Sequence, residues 1–133
     1  MHPVWLRWAC LVGFVAVAAG AFGAHGLKTM VSADALGWWQ TGTRYALFHV
    51  VGLLAVSIQL ERAPRARSAA VAGWAFVVGV LLFTGSLWVM TLTGFRPLGA
   101  VTPLGGTAFL VGWVALGTSA RRRPPQDSHP PDV

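Results

Sequence analysis

Hydrophobic positions in this chain do not alternate with polar ones; they come in blocks. Residues 8–24, 45–60, 68–95 and 97–120 contain no Asp, Glu, Lys or Arg. Crossing the hydrocarbon layer of a bilayer takes about 20 mainly apolar helical residues. The third and fourth blocks meet that length unaided. The first reaches it once Val4, Trp5 and Leu6 are added, with Arg7 snorkelling to the headgroups, and the second once part of residues 35–44 is added. The pattern predicts an all-α integral membrane bundle of four transmembrane helices. The spans fall near residues 4–23, 42–60, 68–92 and 103–120, within one domain over 1–120.

Punctuation between the blocks agrees with this division. Ser32 is placed to cap a helix starting at Ala33, with Asp34 in the first turn where the helix dipole favours negative charge. Trp38 and Trp39 then fall near the membrane surface, so a short interfacial helix is expected before the second span, continuous with it or broken from it. "ERAPRAR" is a short basic turn between spans two and three, and "TGFRPLGAVTPLGG" an irregular connection between three and four. Pro103 suits the first turn of the last helix. Residues 121–133, "RRRPPQDSHPPDV", read as a disordered, basic and proline-rich tail. Small residues recur every fourth position in span one, at Ala16, Gly20 and Ala24 and again at Ala9 and Gly13, a spacing that lets helices approach closely in lipid.

Composition changes the picture only by removing alternatives. Hydrophobic residues make up 55% of the chain and charged residues 11%, where soluble domains carry about 25% charged residues. A net charge of +6 could suit nucleic acid, but the basic residues sit at the ends of apolar runs, not along one soluble face. They suit membrane orientation instead. With both termini inside, the cytoplasmic parts hold Arg7, Arg62, Arg65, Arg67, Arg121, Arg122 and Arg123, against Lys28, Arg44 and Arg96 outside. N-in, C-in topology in the plasma (inner) membrane is therefore expected, with lipid as partner and no nucleic acid. Residues 1–24 also resemble a secretion signal, whose cleavage would leave three spans. The apolar stretch runs longer than a typical signal core, and the charge bias suits four retained spans. The single cysteine, Cys10, precludes an internal disulfide.

Polar groups inside a span are expensive and normally face protein or water. Thr41, Tyr45, His49 and Gly52 follow one another at helical spacings, forming a stripe expected to face the bundle. By the helical rise, His49 lies about 8 Å in from Arg44, and Ser86 about 9 Å before the end of its own span near Leu92, so their depths match. Adding His25 at the end of span one and Thr102 before span four gives a candidate polar cluster: His25, Arg44, Tyr45, His49, Ser86 and Thr102. Two readings of it compete. In one, His49 donates a hydrogen bond that fixes helix register, His25 caps a helix or touches headgroups, and Arg44 snorkels or pairs with Asp34. In the other, His49 and Ser86 are inner ligands of a small-molecule, ion or proton site gated by His25 and Arg44. No Asp or Glu lies within a span to relay protons, and no catalytic residues, metal ligands or cofactor are assigned, since no nucleophile, base and orienting acid can be assembled. Two histidines could in principle hold haem, but no "CxxCH" is present and nothing in the spacing makes them face each other. His2 and His129 are expected to be solvated.

Several stretches together resemble one family. "GAFGAHGL" ends span one, "RYALFH" enters span two, "FTGSLW" lies in span three, and "TPLGG" with "GW" in span four. The chain resembles the YgdD-like family of small multi-span membrane proteins, domain of unknown function 423, with relatives including eukaryotic transmembrane protein 256. The resemblance covers nearly everything except the C-terminal tail. It implies a four-helix membrane protein and brings no reaction. Where the family often shows "FSGSLY" this chain has Thr84 and Trp88, and Ala46 stands where a longer polar side chain is frequent. The expected role is a non-enzymatic structural or accessory component, as a homo-oligomer or within a larger membrane complex.

Overall fold

The computed structural model describes residues 1–120; the tail at 121–133, with His129, lies outside the described residues. Helix α1 (Pro3–His25) has proline in its first turn, where the missing N–H is harmless, and closes with the Gly26 N–H on the Phe22 carbonyl. A 3₁₀ turn, Leu27–Thr29, leads to α2 (Ala33–Arg62). Ser32 Oγ caps it by accepting from the Ala35 N–H at 3.2 Å, and Asp34 occupies the first turn. The interfacial helix and second span are thus one unbroken helix of 30 residues.

The third span is not uniform. It consists of α3 (Arg67–Gly79), one wide π turn (Val80–Thr84) and α4 (Gly85–Thr93). The wide turn sits where Gly105 of the last helix presses on the Phe83 backbone, so closely that a β-carbon at position 105 would overlap it. Gly94, at φ 70°, ends α4 in the left-handed conformation that glycine adopts freely. After a 3₁₀ turn at Arg96–Ala100, α5 (Thr102–Ser119) starts with Pro103 in its first turn. Four stretches, Pro3–Thr29, Ala33–Arg62, Arg67–Thr93 and Arg96–Ser119, are long and apolar enough to cross a membrane, and no strand occurs among the described residues. One end of the bundle holds the chain start, the 62–67 turn and Ser119; the other, the loop end, holds the 26–32 and 94–101 connections.

Helix α2 runs between α1 on one side and the third span on the other, and α5 backs onto the third span. Rings enter gaps left by glycines: Trp5 lies on Gly73, Phe109 on Gly79, and Phe76, fully buried, between Gly52 and Gly112. The small residues of span one pack inward on α2. Ala9 and Ala16 are buried, β-carbons at Gly13 and Gly20 would lie 3.6 Å from Val50 and Thr43 respectively, and only Ala24 is left exposed. Polar bonds stitch the helices at several depths. Trp39 Nε1 donates to the Ala19 carbonyl at 2.8 Å, Thr84 Oγ1 to the Gly42 carbonyl at 2.9 Å, and Thr91 Oγ1 to the Ala35 carbonyl at 3.0 Å. Each bond satisfies a side chain that hydrocarbon would leave unpaired. His2 is not simply solvated: its backbone exchanges bonds with Ser57, the N–H donating to the Ser57 carbonyl and the carbonyl accepting from Ser57 Oγ, and its Nδ1 is buried without a partner.

Candidate functional site

His49 is the buried centre of the polar residues singled out above, 4% exposed. Its Nδ1 donates to the Tyr45 carbonyl at 2.7 Å, one turn back on α2, and its Nε2 accepts from Trp113 Nε1 at 3.2 Å. That pair of bonds specifies the neutral ring with its proton on Nδ1. One face of the imidazole stacks on Phe109, centroids 3.5 Å apart and planes 8° from parallel. Phe109 and Trp113 lie four apart on α5 and so share a face, which places both against His49. Both ring nitrogens are therefore satisfied within the bundle.

Beside this ring, α2 and α5 part to leave a groove of about 600 Å³, lined by Arg44, Tyr45 and Phe48 at one wall and Phe109, Leu110 and Trp113 at the other. Phe83 of the π turn closes its back, packed on Tyr45 at 4.5 Å between centroids. The volume lies within the usual range of small-molecule sites. Apolar groups dominate the walls. The groove opens sideways, since Phe48 and Leu110 are among the most exposed large hydrophobic side chains of the described residues at 68% and 69%.

The six residues of the candidate cluster fall into three places. Arg44, Tyr45 and His49 line the groove. Ser86 does not: its hydroxyl lies 2.8 Å from Thr102 Oγ1 and 3.0 Å from the Phe83 carbonyl, joining α4 to the first turn of α5. His25 is exposed in the last turn of α1 and lines no part of the groove. A regular helix through span three would misplace Ser86, because a π turn adds a residue and rotates everything beyond it by about 100°. The stripe Thr41, Tyr45, His49, Gly52 also divides: His49 and Gly52 are buried, whereas Tyr45 is 44% exposed. Thr41 is half-buried, and Tyr45 faces the open groove between α2 and α5 instead of the closed interior. Arg44 does not pair with Asp34; the one ion pair among the described residues joins the Met1 amine and Glu61 at 3.7 Å.

The sequence points to Trp113 only within the "GW" of the family resemblance and to Phe109 not at all, and it names neither as a partner of His49. Their i, i+4 spacing was the available signal, but it names a shared face without saying what that face meets. No group of three or more His, Cys, Asp or Glu that could hold a metal occurs among the described residues.

Comparison with known proteins gives a consistent set. A family described as "Protein of unknown function (DUF423)" matches residues 19–106. The UPF0382 membrane protein YwdK of Bacillus subtilis is 37% identical over 88% of this chain and 95% of its own length. A UPF0382 membrane protein of Haemophilus influenzae is 39% identical over 87% of this chain and 92% of its own. The UPF0382 inner membrane protein YgdD of Escherichia coli is 38% identical over 88% of each. No solved structure matches the chain.

Proposed function

Because the chain belongs to the DUF423 family and is, like its relatives, a multi-pass protein of the inner membrane, we propose that it is a non-enzymatic accessory component that packs through its spans with a second copy or a larger membrane complex. A cleft between α3 and α5 carries this reading. It is lined by the small residues Ala70, Ala75, Thr107 and Ala108 between the larger Val71, Trp74, Val78 and Val111, with Arg67 at its chain-start end. In lipid, helices associate by close van der Waals approach, so a shallow cleft floored by small side chains is what another transmembrane helix fits. The stripe on α1 does not serve this purpose, since α2 occupies most of it. Within the spans, His49, Thr84, Ser86 and Thr91 bond neighbouring backbone or side chains, which supports a structural use of the polar residues. In this reading both termini face the cytoplasm.

Cysteine crosslinking in native membranes tests the proposal. In a Cys10→Ser background, Ala108→Cys or Ala75→Cys should give a crosslinked species above the monomer, and a cysteine at exposed Val17 on α1 should not. Monomer alone at both cleft positions would overturn it. A second reading, a small-molecule, ion or proton site on His49, Ser86, His25 and Arg44, is favoured by one observation, the groove beside His49 and Arg44. His25 and Ser86 lie apart from that groove, so such a site would rest on Arg44, Tyr45 and His49.

A further inference from the structure

Arg44 is the only charged residue of α2 between Asp34 and Glu61, and among the described residues it pairs with no carboxylate. By the helical rise it stands about 25 Å along the axis from Glu61. A hydrocarbon layer of about 30 Å then puts its guanidinium close to the boundary at the loop end, within reach of lipid phosphates. An unpaired cation at that depth calls for an anion.

The groove begins at this arginine and runs inward. Deeper by about 8 Å along α2 lies His49, whose bond with Trp113 closes the far part without leaving either ring a free polar atom there. Between the two, Phe48, Phe83, Phe109 and Leu110 present hydrocarbon, and Tyr45, next to Arg44, adds a single phenol hydroxyl. A complementary ligand has one anionic end and an apolar remainder, and it arrives from the side, where the groove is open. A soluble anion satisfies the first condition alone. We propose that this groove seats one anionic phospholipid, its phosphate on Arg44 and one acyl chain along Phe109 and Leu110. The inference goes beyond the packing role and does not depend on it, since the cleft between α3 and α5 lies elsewhere.

Guanidinium and phosphate form charge-assisted bonds, often bidentate, that hold register as well as charge. Native mass spectrometry of the full chain in mild detergent, titrated with phosphatidylglycerol and phosphatidylcholine of equal acyl length, reads the prediction. The wild-type chain should hold one phosphatidylglycerol about tenfold more tightly than phosphatidylcholine. Arg44→Gln should abolish that preference. Arg96→Gln, whose arginine lies over Trp38 and outside the groove, should keep it. Gly106→Leu should weaken both lipids by filling the groove, since a β-carbon there has 3.9 Å of clearance from Phe83. Thermal melting equal to wild type identifies each variant as folded before binding is compared. Equal affinity for the two lipids, a preference surviving Arg44→Gln, an equal loss in Arg96→Gln, or displacement of the lipid by inorganic phosphate would each overturn the assignment.

Discussion

Phe76 offers the sharpest test of how this bundle is held together. Its ring is fully buried with one edge on Gly52 and the other on Gly112. A methyl group on residue 112 would stand 2.5 Å from Phe76 Cε1 and 2.6 Å from Cδ1; one on residue 52 would stand 2.8 Å from Cε2. Carbons in contact settle at about 3.5–4.0 Å, so Gly112→Ala requires ring and helix to part by about 1 Å. The ring cannot retreat, because the same motion drives its other edge into α2. Overpacking of this kind costs about 1–3 kcal/mol. Helix propensity points the other way, favouring Ala over Gly by up to about 1 kcal/mol in water. That gain shrinks where spans stay helical in the unfolded state. Gly117, on the same helix with nothing within 4 Å, is the control. Equilibrium unfolding of the purified protein by SDS in mixed micelles should show Gly112→Ala destabilised by about 1–3 kcal/mol and Gly117→Ala unchanged or slightly stabilised. Phe76→Leu should be less damaging in the Gly112→Ala background than in the wild type, because the smaller side chain relieves the clash. If Gly112→Ala is as stable as Gly117→Ala, the glycines do not act as sockets and the explanation fails.

Three further outcomes follow from the polar bonds and the charge distribution. A double-mutant cycle of His49→Ala with Trp113→Phe should return a coupling of about 1 kcal/mol, and His49→Gln should recover part of the stability lost in His49→Ala; additive losses would mean that the bond contributes nothing. Thr84→Val and Thr91→Val each keep shape but remove a bond to an α2 carbonyl, and each should lower unfolding stability by about 0.6 kcal/mol, at most about 1.7. Cysteines at Ser68 and Gly99, each in a Cys10→Ser background, should be labelled by a membrane-impermeant maleimide from opposite sides of the membrane, with Ser68 reached only after the cytoplasmic side is opened; the reverse pattern would invert the topology.

Most of the fold is legible in the chain because the bilayer imposes a length and charge is excluded from its core. Four uncharged blocks therefore translate into four helices, and Ser32 marks the start of α2 by the same capping chemistry that operates in water. What hydropathy does not encode is rotation about each axis, since lipid and a neighbouring helix are equally apolar to a leucine. The π turn at Val80–Thr84 coincides with a long-range contact, Gly105 against Phe83, that no local pattern announces. It moves Ser86 away from His49 and onto Thr102. His49 itself could be singled out because an ionisable side chain within a span must find partners. Which partners it found, Phe109 and Trp113, depended on that rotation.

The length of α2 has a consequence for how the molecule meets its surroundings. Thirty residues make about 45 Å of helix against about 30 Å of hydrocarbon. Transmembrane helices tilt by at most about 40°, which shortens the projection to no less than about 34 Å. Some of α2 must stand proud of the oily layer at any tilt. With Glu61 and Arg62 holding one end, the surplus emerges at the other, around Ser32, Asp34 and Trp38. The two sides of the protein are therefore mechanically unlike. Among the described residues, the chain-start side presents a short basic turn and the loop side a stiff post braced by the Thr91 bond to the Ala35 carbonyl.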